Sequence, residues 1–301
     1  MITELKQIVE EACRRGRRRL AVACANDEHS IMAAADAYHK GIASPTLYGD
    51  KPLILSECKR LGIDPEIFTI VDEKNDVKCV AMAVNAAATG HADILMKGLV
   101  STDKYMRGIL NKTADLFPAG SLLSHVSVFD RVEQQRLLCV ADVAVIPLPD
   151  FKQKVKIIGY LATIARSLGI DCPKIAAIAP SEQLLPAVVS STDGAILAKM
   201  ADRGQLGDII LDGPLSLDVA LYPEVVKEKN VKGSRVAGDA DCLLFPNIES
   251  GNVFFKAATH MGGSDVAAIV VGTKVPCVLT SRGDTPLSKL YSIALACLQV
   301  K

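Results

Sequence analysis

The sequence predicts an α/β protein built in two parts. Short apolar runs of strand length alternate with amphipathic or alanine-rich stretches of helix length. Glycine marks most of the turns between them, and Pro147-Leu148-Pro149-Asp150 interrupts the series near its middle. Strand, helix and strand joined by short links read as βαβ units in a mainly parallel sheet. At 301 residues there is enough chain for two cores of ordinary size.

Residues 3–15 form a helical pattern, followed by a strand over 20–25. Asn26-Asp27-Glu28-His29 leads into a second helix carrying Ile31, Ala34, Ala35 and Tyr38, with Asp27 as its N-cap and Gly41 beyond its end. A strand over 44–48 completes the first βαβ unit. Arg14, Arg15, Arg17, Arg18 and Arg19 straddle the first helix–strand junction. They suit a helix C-terminus and a charged surface, or the attraction of a polyphosphate. The same grammar continues with a helix over 53–61, a strand over 68–71 and an alanine-rich helix over 77–89 stopped by Gly90. A buried strand over 92–96 ends in Lys97-Gly98, and Thr102 or Asp103 caps a helix bearing Arg107. Lys97 and Arg107 either serve an anionic ligand or play structural parts, Lys97 by pairing with a carboxylate such as Asp93 and Arg107 by covering a helix face.

Residues 122–129 and 136–146, two β-rich runs around a polar turn, predict an antiparallel hairpin. His125 within it is either a hydrogen-bonded core residue or a catalyst. Beyond the proline hinge come a helix over 151–168, a strand over 174–179, a helix near 193–201 and a strand near 209–211. Asp218 follows among apolar neighbours, as a helix cap, a surface residue or a functional carboxylate. A strand over 242–245 leads into Pro246-Asn247-Ile248-Glu249-Ser250-Gly251-Asn252 and a helix from Val253. That junction presents backbone N–H groups at a helix N-terminus, an anion site. The chain closes with a strand over 276–280 and a helix over 286–298. Between them Ser281-Arg282-Gly283-Asp284-Thr285 places a hydroxyl, a guanidinium and a carboxylate where open α/β sheets bind ligands. An arginine fork fits phosphate or carboxylate; the alternative is a polar loop whose Arg282 faces solvent.

Composition narrows the class of partner. The 34 basic and 34 acidic residues cancel and aromatic residues are only 4%, which argues against nucleic acid. No apolar run approaches a membrane span, and residues 1–12 lack the apolar core of a secretory signal. The nine cysteines are dispersed with no CxxC pair, so a reducing cytoplasm is expected and neither a disulfide framework nor a metal cluster is. No Walker-type loop, no GxGxxG and no HExxH occurs.

Four stretches taken together carry a family resemblance: Ala92-Asp93-Ile94-Leu95-Met96-Lys97-Gly98, Asp212-Gly213-Pro214-Leu215-Ser216-Leu217-Asp218, the run from Ala240 to Asn252, and Val278-Leu279-Thr280-Ser281-Arg282-Gly283-Asp284. The chain resembles the phosphate acetyltransferase and phosphate butyryltransferase family from end to end. The segments 122–129 and 288–296 are more similar to the butyryl branch. The resemblance implies reversible transfer of a short acyl group, butyryl or a branched relative, between coenzyme A and inorganic phosphate. Acetyl or propionyl preference is one alternative, and a non-catalytic coenzyme A-binding protein of the same fold another. It implies two three-layer α/β/α domains of the isocitrate/isopropylmalate dehydrogenase-like type with the active site in the interdomain cleft. The first domain would be residues 1–149 plus 268–301, the second 150–267. It further implies a homodimer or larger homo-oligomer, no metal and no tightly bound cofactor, with coenzyme A and phosphate as substrates.

Carried over residue by residue, the resemblance makes Ser281 the donor to a developing oxyanion and Arg282 the holder of phosphate. The coenzyme A and phosphate contacts would fall on Lys97, Thr102 and Arg107 and on Asn247, Glu249, Gly251 and Asn252. The acetyl branch has an aspartate, the base for the coenzyme A thiol, seven positions beyond its serine; here that position is Ser288. Asp284 takes the role instead, or a carboxylate from another loop such as Glu249 or Asp218.

Overall fold

The computed structural model describes residues 1–131, 134–280 and 284–300. The chain divides into two compact units, one comprising Leu5–Leu123 and Asp265–Lys301, the other Met1–Glu4 and Ser124–Ser264.

In the first unit, strands β1 (Arg18–Ala23), β2 (Ala43–Gly49), β3 (Thr69–Asp72) and β4 (Ile94–Lys97) are joined by β10 (Val266–Val271) and β11 (Cys277–Val278) in the order β3-β2-β1-β4-β11-β10. Pairing is parallel throughout except between β10 and β11. The chain moves outward from β1 to β2 and β3, then returns to place β4 on the other side of β1. This reversal is a topological switch point, which opens a crevice at the carboxyl ends of β1 and β4. The strands there are continuous apolar runs, buried along Leu20–Ala23 and Ile94–Met96, as parallel strands covered on both faces require. Helix α11 (Pro286–Gln299) packs on β10, α1 (Leu5–Arg14) and α2 (Glu28–His39), while α4 (Asp76–Ala88) packs on β1 and α5 (Thr102–Ile109). Caps fix where these helices begin. Asp27 accepts from the Ser30 amide at 3.0 Å, Asn75 caps α4, and Thr285 caps α11. Ser101, rather than Thr102 or Asp103, caps α5.

In the second unit, β5 (Ser124–Arg131) and β6 (Arg136–Ala141) form the antiparallel hairpin, and β9 (Cys242–Leu244), β7 (Lys174–Ile178) and β8 (Ile210–Leu215) continue the sheet in parallel, in that order. Asp150 and Gln153 close a capping box on α6 (Phe151–Ser167). Asp142, only 2% exposed, organises the segment after β6. Its carboxylate accepts from the Ser124 hydroxyl at 2.8 Å and from the amides of His125 (2.9 Å), Ala144 and Val145 (both 2.8 Å). His125 is a core residue, edge-on to Phe255 with ring centroids 6.4 Å apart. Helix α10 spans Ile248–Lys256, five residues earlier than the apolar pattern predicts, because Asn247 is its N-cap. The arginine run in the first unit is used structurally. Arg19 holds the Asp93 carboxyl below its ordinary range by hydrogen bonding, Arg17 lies 4.3 Å over the Tyr38 ring, and Arg14 and Arg15 pair with Glu11.

Candidate active site

Three strand ends within the first unit build one cavity. At the end of β1, Cys24 adopts a left-handed conformation (φ 56°) that turns the chain toward Asp27 and the start of α2. At the end of β4, the Gly98 amide donates to the Ala23 carbonyl at 2.8 Å and the Leu99 amide to the Cys24 carbonyl at 2.7 Å. A Cβ on residue 98 would stand 2.3 Å from the Cys24 carbonyl oxygen, so only glycine allows the two loops to lie this close. At the end of β11, Thr280 accepts from Lys289 Nζ, in the first turn of α11, at 2.8 Å. Asp27, Glu28, His29, Lys97, Gly98, Leu99 and Lys289 line the resulting space of about 230 Å³. It lies at the switch point between β1 and β4.

Two amines converge there. Lys97 is 3% exposed and donates to the carbonyls of Gly98 (3.2 Å) and Val100 (3.1 Å), while Lys289 is 4% exposed. Burial pulls the Lys289 amine below its ordinary pKa, and the charges of Asp27 and Asp284 offset part of that shift. Asp27 Oδ2 is buried with no hydrogen-bond partner among the described residues. His29 Nδ1 lies 3.2 Å from the carbonyl oxygen of Asp284, which connects the start of α2 to the loop before α11. Buried ammonium groups at strand carboxyl ends suit an anionic ligand. Among the described residues, no group of three or more His, Cys, Asp or Glu is placed to hold a metal ion.

A family model described as "Phosphate acetyl/butaryl transferase" matches residues 74–297. The chain belongs to the phosphate acetyltransferase and butyryltransferase family. It is 42% identical to a phosphate butyryltransferase of Clostridium acetobutylicum over 298 residues, 99% of this chain and 98% of that protein. It superposes on a branched-chain phosphotransacylase from Enterococcus faecalis with a TM-score of 0.81 at 27% identity, over 94% of this chain and 100% of the other. A phosphotransacetylase from Streptococcus pyogenes gives 0.83 at 23% identity, over 99% of each chain, and shows the fold alone.

These structures correct the isocitrate/isopropylmalate dehydrogenase-like description: the fold is that of the phosphotransacetylase and phosphotransacylase structures. That description came with the family resemblance and not from the residues of this chain, whose alternating strands and helices with a mid-chain hinge fit many two-part α/β proteins. Membership of the phosphate acetyltransferase and butyryltransferase family makes the protein an enzyme of reversible acyl transfer, with coenzyme A and phosphate as substrates. Among the described residues no helix is long and apolar enough to cross a membrane.

The residues singled out from sequence fall in different surroundings. Lys97 lines the cavity. Ser281 and Arg282 lie outside the described residues, directly between Thr280 and Asp284. Ser288 is buried at the third position of α11, its amide donating to Thr285 Oγ1 at 3.1 Å. Thr102 is exposed, and Arg107, on the same helix, pairs with Asp103 at 2.9 Å. In the second unit, Asn247 accepts from the Ser250 amide at 2.9 Å, Asn252 Nδ2 donates to the Val143 carbonyl at 3.0 Å, and Glu249 is exposed. Gly251 is fixed by packing, since a Cβ there would stand 2.2 Å from the Asp142 carbonyl oxygen. Hydrogen bonds from Ser216 and then Lys229 hold the Asp218 carboxyl at about 2. Lys289, His29 and Asp27 were not identified from sequence as site residues. A lysine among the otherwise apolar and small buried positions of α11 was the available signal for the first.

Proposed function

We propose that this enzyme transfers butyryl or a branched short acyl group between coenzyme A and inorganic phosphate. Ser281 and Arg282 would act at the reacting carbon, with Lys97 as an anion-holding partner. The observation that carries the assignment of the site is the pair of buried lysines in one cavity at the β1–β4 switch point, with Lys289 bonded to Thr280, the residue before Ser281 in the chain. Phosphate oxygen attacks the thioester carbonyl in one direction, and coenzyme A thiolate attacks the acyl phosphate in the other. Both routes pass through a tetrahedral carbon bearing an oxyanion. Arg282 grips phosphate with a charge-assisted fork, and Ser281 donates to the oxyanion as it forms.

The butyryl or branched preference is supported by the 42% identity to a phosphate butyryltransferase and the likeness to a branched-chain phosphotransacylase. The test is phosphate-dependent release of coenzyme A thiol from acetyl-, propionyl-, butyryl-, isobutyryl- and hexanoyl-CoA. A maximum in kcat/KM at butyryl or isobutyryl is the expected result, and a maximum at acetyl would overturn the acyl assignment. We also propose a homo-oligomer, as the family resemblance implies, supported by the exposed Val253 and Met261; a monomeric mass by light scattering would remove it.

A further inference from the structure

We propose that Lys289 is the proton acceptor for the coenzyme A thiol in this chain, a role that Ser288, at the position of the acetyl-branch aspartate, cannot fill. The inference rests on the acyltransferase reading above. Lys289 follows Ser288 directly, in the first turn of α11, and lines the cavity formed at the carboxyl ends of β1 and β4. Its Nζ is held by the Thr280 hydroxyl at 2.8 Å, one residue before Ser281. The charged and titratable groups around it are Asp27, Glu28 and His29 from the start of α2, Lys97 from the end of β4, and Asp284 from the loop before α11.

Asp284, the first acceptor suggested by the sequence, acts on Lys289 as a counter-ion, and the remaining carboxylates are less suited. Asp218 stays ionised down to about 2, committed to Ser216 and Lys229, and Glu249 is exposed on the second unit. Asp27 lines the cavity, but one carboxylate oxygen caps α2, and its charge acts on Lys289 as a counter-ion for the ammonium. Burial lowers the Lys289 amine, the direction that suits a proton acceptor working near neutral pH.

In acyl-CoA synthesis the S–H bond breaks and its proton passes to Lys289 Nζ. The sulfur electron pair forms the C–S bond, and the bond from the acyl carbon to the phosphate oxygen breaks, with that electron pair leaving on phosphate. In the reverse direction the phosphate oxygen attacks, the C–S bond breaks, and the Lys289 ammonium returns its proton to the departing thiolate.

The experiment measures initial rates from butyryl phosphate and coenzyme A between pH 6 and 9.5 for the wild type, Lys289→Ala, Lys289→Arg and Asp27→Asn. Lys289→Ala should lose on the order of 10²- to 10⁴-fold in kcat while still binding coenzyme A, with part of the rate restored by added methylamine. Lys289→Arg should be equally slow, because a guanidinium keeps the charge but cannot give up a proton in this range. Asp27→Asn should move the rising limb of the pH profile to lower pH, since removing an anion further disfavours the ammonium.

Near wild-type activity in Lys289→Arg, or an unchanged pH profile in a folded Lys289→Ala, would overturn the proposal by reducing Lys289 to a fixed charge. If Lys289→Ala fails to fold, Lys289→Arg alone decides. Abolition of activity in folded Asp27→Asn would transfer the role to Asp27. A wild-type protein that transfers no acyl group would instead overturn the underlying reading.

Discussion

Replacing Gly98 by alanine tests whether the cavity depends on the contact between two backbone turns. The added methyl carbon would stand 2.3 Å from the Cys24 carbonyl oxygen and 2.8 Å from both the Ala23 oxygen and the Cys24 carbonyl carbon, where ordinary contact begins near 3.4 Å. All three neighbours are backbone atoms, so no side-chain rotation relieves the clash. The loop after β4 must move by about 1 Å, as 3.4 less 2.3 indicates. That movement stretches the Gly98–Ala23 and Leu99–Cys24 hydrogen bonds, now 2.8 and 2.7 Å, and carries Lys97 with it. Overpacking of this kind costs about 1–3 kcal/mol, and a 1 Å misplacement of a positioning group lowers turnover by roughly 10²-fold. The assays are thermal unfolding and phosphate-dependent thiol release from butyryl-CoA. A Gly98→Ala protein with both the melting temperature and kcat of the wild type would refute the role given to this contact.

Asp142→Asn should destabilise the protein by roughly 3 kcal/mol in urea unfolding, because an amide nitrogen would face donors that the carboxylate now accepts; an unchanged midpoint contradicts this. Asp218→Asn should leave the pH–rate profile unchanged between pH 6 and 9, since its carboxyl, held at about 2, is ionised throughout; a displaced limb would restore Asp218 as a candidate base. Arg282→Ala should reduce transfer by on the order of 10²-fold or more and raise the KM for phosphate more than that for coenzyme A; unchanged kinetics would remove Arg282 from the site.

The parts of the fold legible in sequence were those with a local cause. β1 and β4 show as uninterrupted apolar runs because both faces are covered, and the Asp27 cap carries its signal within four residues. β10 was missed. Its run from Val266 to Val271 is of strand length, but its antiparallel pairing with the two-residue β11 has no local signature. The start of α10 was placed too late because the hydrophobic pattern begins at Val253, whereas the helix begins with the Asn247 cap. Lys97 was legible as a cation ending a buried strand. Lys289, His29 and Asp27 were not, because the cavity they share depends on bringing together residues 27, 97 and 289, a matter of strand order rather than of any pattern along the chain.

Strand order also bears on how such a site handles charge. In acyl-CoA synthesis acyl phosphate enters as an anion, and the reaction generates a thiolate and an oxyanion beside its phosphate group. A carboxylate acceptor is an anion before it takes the proton and so opposes phosphate in the ground state. Two unit charges 4 Å apart repel by about 4 kcal/mol at an effective dielectric of 20. An amine that takes the proton adds no such repulsion, because it becomes a cation as the sulfur becomes an anion. Its attraction therefore appears as charge develops, which is the condition for speeding the chemical step rather than only tightening binding. Asp27 and Asp284 then stabilise the new ammonium. On this argument the serine at position 288 is not a lost catalyst. The proton acceptor has moved one residue along the first turn of α11, and its chemistry has changed from a carboxylate to an amine.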